Sequence, residues 1–155
     1  MARINNNLWH RYKYKINVFL LILPCYFFYQ SLFPQFPSAW DSKKIAGFEI
    51  TPIPYNLKQP YLHHGSYTKD FMIMFSEGKV DDIRQAYVNI GIEPLPLAVL
   101  QTSDKGILHG SQHGQEVHAI SASVLKAEDK VWLTIEDWQG QRIVTSWSLP
   151  KALLN

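Results

Sequence analysis

Hydrophobic and polar positions divide the chain into two unlike parts. Residues 16–33, INVFLLILPCYFFYQSLF, form an unbroken apolar run without a charge, and only Asn17, Gln30 and Ser31 are strongly polar. As a helix these residues reach ~27 Å, close to the ~30 Å hydrocarbon core of a bilayer. Beyond them the apolar positions alternate instead of running on. Phe48 and Ile50 share a face in FEITPI. Phe71, Ile73 and Phe75 share one in FMIMF, with Met72 and Met74 on the other. In IRQAYVNI, Ala86, Val88 and Ile90 oppose Gln85, Tyr87 and Asn89. A period of two predicts half-buried strands.

Further strands are expected at 97–100 and 116–121. Residues 132–135 and 142–147 read as a hairpin turning around 137–140. Turns fall at 76–79, 102–106 and 127–130, and the glycine-rich stretch 109–114 reads as a loop. About seven short strands with turn signals every 8–12 residues predict a mainly β fold. The expected architecture is one N-terminal transmembrane helix followed by a small immunoglobulin-like antiparallel β-sandwich. An α+β domain with a helix over 80–87 is the alternative. The expected segments are a basic tail (1–15), a membrane span acting as an uncleaved signal anchor (16–33), a linker (34–46), the β domain (47–150) and a C-terminal tail (151–155).

Charge placement fixes the expected orientation. Arg3, Arg11, Lys13 and Lys15 are the only ionised side chains before Trp40, and the next charge after the span is Asp41. Basic residues stay on the cytoplasmic side, so the N-terminus is expected inside and the domain outside, in the periplasm if the cell is Gram-negative. The overall net charge of +2 belongs to the tail; from Trp40 onward 11 Lys and Arg face 13 Asp and Glu. That balance gives no footprint for nucleic acid. The single cysteine, Cys25, lies in the span, so the domain contains neither a disulfide nor a thiolate site.

Candidate chemistry is confined to histidine and methionine. The domain holds His63, His64, His109, His113 and His118, with Met72 and Met74 nearby. Without cysteine, imidazole and thioether are the ligand set for copper, and thioether favours Cu(I). The competing reading makes the methionines apolar gap-fillers in a strand. It makes the histidines ordinary loop residues. No nucleophile elbow, phosphate loop or H-E-x-x-H pattern occurs, so no enzyme activity is expected. Tyr87 and Trp132 point outward by alternation and are the expected partner surface. The plan is similar to that of membrane-tethered periplasmic accessory and copper-handling proteins. The first expectation is an extracytoplasmic module that contacts a membrane or envelope protein complex, in its assembly among other stages. The alternative is a copper-binding metallochaperone or sensor domain.

Overall fold

The computed structural model describes residues 7–112 and 114–154. They form two compact units, divided between Gln35 and Phe36.

The first unit is the helix α1 (Asn7–Leu32), which contains Pro24. Its stretch Arg11–Leu32 is long and apolar enough to cross a membrane. Side chains such as Leu21, Phe27 and Tyr29 are exposed.

The second unit is mainly β. Its strands are β1 (Lys43–Ile45), β2 (Phe48–Pro54), β3 (Tyr61–His63), β4 (Ser66–Glu77), β5 (Ile83–Gly91), β6 (His109–Ser111), β7 (Gly114–Ile120), β8 (Lys130–Asp137) and β9 (Arg142–Ser148). One short helix, α2 (Leu97–Thr102), precedes β6. All nine strands belong to one sheet ordered β1-β2-β4-β7-β5-β8-β9, with β3 added to β4 and β6 to β7. Every pairing is antiparallel except β5 with β7. That junction is completed by the chain at 106–108: Val88 N donates to Gly106 O (2.6 Å) and Leu108 N to Ala86 O (2.8 Å).

The end strands of the sheet approach each other. The Trp147 indole donates to Asp41 O at 2.8 Å, and the Lys43 ammonium donates to Ser146 O while lying over the Trp147 ring. The sheet is therefore nearly closed and barrel-like, where two facing sheets of immunoglobulin type were expected. Local alternation is the same in both cases; what differs is which strand ends meet.

The core is the inner face of this curl. Ile50, Phe71, Ile73, Val88, Val117, Val131, Leu133 and Ile135 are buried together, with Trp147 and Leu153 closing against them. Burial alternates residue by residue along β2 and β7, as the apolar alternation predicts. Two segment boundaries are corrected. Residues 34–46, expected as a linker, contribute β1 and place Trp40 edge-on against Phe71, 5.4 Å between centroids. Residues 151–155, expected as a tail, send Leu153 into the core because it is apolar and follows a turn of 3-10 helix.

Two-residue hairpin turns account for strands that alternation missed. Ala46 and Gly47 both have positive φ (48° and 84°), as do His64 and Gly65 (46° and 80°). This is the type I′ turn, whose twist matches the flanking strands. It makes β1–β2 and β3–β4 tight hairpins. The run Leu97–Leu100 forms α2 where a strand was expected, because Leu97 and Leu100, three apart, both pack onto Tyr87.

Candidate functional site

The β3–β4 hairpin sets the first side chains of the site. His63 pairs with Ser66 across the His64–Gly65 turn. The turn is held from behind by Lys105, whose Nζ donates to His64 O (2.8 Å) and Ser66 Oγ (2.9 Å).

Register then brings distant sequence together. Asp70 on β4 lies opposite His118 on β7. Cross-strand partners share a face. Their side chains meet at 2.7 Å, Nδ1 to Oδ1. The Tyr61 hydroxyl donates to the same carboxylate, 3.1 Å to Oδ1 and 3.0 Å to Oδ2. The His63 ring lies 4.9 Å from that of His118 and 4.3 Å from that of His64. His109 on β6 is 6.1 Å from His118.

One row further along, Glu116 on β7 pairs with Met72 on one side and His109 on the other. The Met72 and Met74 sulfurs lie about where Gly114 leaves room: a Cβ there would be 3.5 and 3.7 Å from them. The outer face of β3, β4, β7 and β6 thus gathers His63, His109, His118, Met72 and Met74 around Asp70 and Glu116. His64 borders it at the hairpin tip. His113 lies outside the described residues.

The electrostatics follow from crowding. The His63 pKa is lowered, first by burial, then by neighbouring His64, His118 and Lys105; Asp70 opposes them. Tyr61 is pushed up by burial and by its bond to Asp70. Tyr55, next to Glu116, is pushed up for the same two reasons. The tyrosines therefore stay protonated and act as donors to the carboxylates.

Both Nδ1 atoms that face fixed acceptors carry a proton. His118 Nδ1 faces a carboxylate, and His109 Nδ1 faces Ile107 O at 3.3 Å. Carboxylate and carbonyl oxygens only accept, so in the neutral form of each ring the lone pair is on Nε2. Among the described residues, no three His, Cys, Asp or Glu side chains already converge as a metal site.

The expected partner surface is corrected. Tyr87 is on the outer side of β5, as alternation requires, but it is only 5% exposed because α2 covers it together with Leu95 and Ile120. Trp132 is half-buried, its indole donating to Gly91 O at 3.0 Å. The sequence reading missed Tyr61 and Glu116 as members of the site. An H-G pair between two short β-forming segments was the available signal for the hairpin that carries Tyr61.

No curated protein and no solved structure matches the chain. The model of one family, described as Uncharacterised conserved protein UCP029505, matches residues 8–150, and the chain belongs to that family.

Proposed function

We propose that this is a single-pass membrane protein whose β domain lies outside the cytoplasm and acts by binding rather than by catalysis, as an accessory module of a membrane or envelope protein complex. The charge placement around α1 supports this orientation: three basic residues stand directly before the span and no charge follows it until Asp41. In a Gram-negative cell the domain is periplasmic.

The observation that carries the reading is the outer face of β3, β4, β7 and β6. On β5 the outward Tyr87 is covered by α2. On β3, β4, β7 and β6 imidazole, phenol, carboxylate and thioether groups from four strands share one face, and His118 keeps 43% of its side chain exposed. Polar groups fixed by one another and still open to solvent are what a recognition surface requires.

Site-specific photo-crosslinking of the full chain in its own membranes tests this. Crosslinkers at His63 and His109, both within the face, should capture the same stoichiometric membrane partner. One at Val99, on the exposed side of α2, should not. Equal capture from all three positions, or none, overturns the assignment of the face.

A further inference from the structure

The arrangement of the imidazoles narrows what this face takes. Two imidazoles bound to one ion through nitrogens about 2.0 Å away place their ring centroids roughly 5–6 Å apart. The separations His63–His118 (4.9 Å) and His109–His118 (6.1 Å) bracket that value, with His118 in the middle.

The backing is also that of a metal site. Ligating histidines donate their second nitrogen to a carboxylate or backbone carbonyl, which fixes the tautomer and raises the basicity of the free nitrogen. His118 has Asp70 behind it and His109 has Ile107 O. Asp70 is itself held by the Tyr61 hydroxyl. Three groups unrelated in sequence thus leave Nε2 of both rings available on one face. His63 carries no hydrogen bond on its ring among the described residues, so it can turn toward the ion without losing one.

Thioether decides the metal. Met72 pairs with Glu116, two residues along β7 from His118, so it is the diagonal neighbour of His118 on the same face. Imidazole together with thioether suits a soft monovalent ion better than zinc. Resting on the reading of this face as the working surface, we propose that it binds one copper(I) ion. His118, His109 and His63 supply nitrogen, Met72 supplies sulfur, and Asp70 is a positioning residue that holds His118.

Anaerobic titration of the metal-free full chain in detergent with Cu(I), against a chromophoric Cu(I) chelator, tests the proposal. One ion per chain is expected. H118A and H109A should abolish competition with the chelator. D70N should weaken binding roughly 10–100-fold with unchanged circular dichroism. H64N, at the hairpin tip, should bind as the parent does; asparagine tolerates the left-handed backbone there. Substoichiometric uptake, unchanged affinity in H118A, or an equal loss in H64N overturns it, as does Zn(II) binding that survives M72L while outcompeting Cu(I). Crosslinking of the copper-free protein is scored separately. A chain that captures its partner from this face but takes no copper refutes the metal assignment and leaves the surface assignment standing.

Discussion

Lys69 is the most demanding side chain in the domain. It points inward from β4 between Thr68 and Asp70, is 2% exposed, and its Nζ donates to Asn56 O (2.7 Å) and Asn56 Oδ1 (2.8 Å). Burial lowers its pKa from 10.5 to about 8, against the opposing pull of Asp70. The unfolded chain keeps this proton up to 10.5, so between pH 8 and 10.5 it binds more protons than the folded chain. Stability from this group therefore rises with pH across that window, and below pH 8 the fold bears the whole cost of the buried charge. At 1.36 kcal/mol per unit, the span corresponds to ~3 kcal/mol.

Lys69→Met removes the titration. It also strips Asn56 of a donor to two acceptors, which costs ~1–3 kcal/mol. At pH 7 this cost and the relief from a buried charge nearly cancel. By pH 10.5 the variant should be ~3 kcal/mol less stable than the parent. Urea unfolding followed by tryptophan fluorescence, at half-unit steps from pH 7 to 10.5, measures both chains under the same detergent. Tyr55 and Tyr61, whose pKa values are raised, pull both curves down above pH 10, so the difference between the chains is what counts. Parallel pH profiles for the two chains would refute the reasoning.

Other outcomes follow from the same geometry. Tyr87→Ala should cost ~2–4 kcal/mol by emptying the space under α2, measured by urea unfolding, and should leave partner capture intact. Ala46→Gly relieves a left-handed alanine at φ 48° and should stabilise by ~0.5–1 kcal/mol; a loss of stability would show that the β1–β2 turn is not strained. Gly110→Ala would set a Cβ 2.5 Å from Gly114 O, so it should open the β6–β7 hairpin and carry His109 away from His118, seen as altered imidazole resonances. The lowered pKa of His63 makes its folded form the poorer proton binder, so its contribution to stability is present above 6.5 and lost as pH falls below that value. His63→Gln should flatten the acid limb of a stability profile.

Legibility in the sequence tracked the range of the interaction that decides each element. The hairpin β8–β9 was readable because both strands alternate and its turn is local: Asp137 Oδ1 accepts from the backbone N–H of Gln139 and Gln141. β2 and β5 were readable for the same reason. β1 and β3 escaped because three residues such as KKI or YLH carry no period; their turns, A-G and H-G, are the local signal instead. The four apolar residues at 97–100 fit a strand or one turn of helix equally, and contact with Tyr87 settles it. Barrel-like closure depends on Trp147 finding Asp41, 106 residues away, which no window along the chain reports. The histidines were visible as candidates, but their assembly needed the registers of β3 on β4 and of β4 on β7.

The closing of the sheet has a mechanical consequence. Backbone ladders join most neighbouring strands, whereas β1 and β9 are joined through two side chains, Trp147 and Lys43. The chain leading from α1 enters the domain at this seam, through Trp40 and β1. Tension on the tether therefore loads the weakest join first and peels β1 from β2 one hydrogen bond at a time. The ladders of β5, β8 and β4 with β7 are not in that load path. The domain has a built-in fuse: a pull through α1 opens three residues of strand and leaves the histidine face standing.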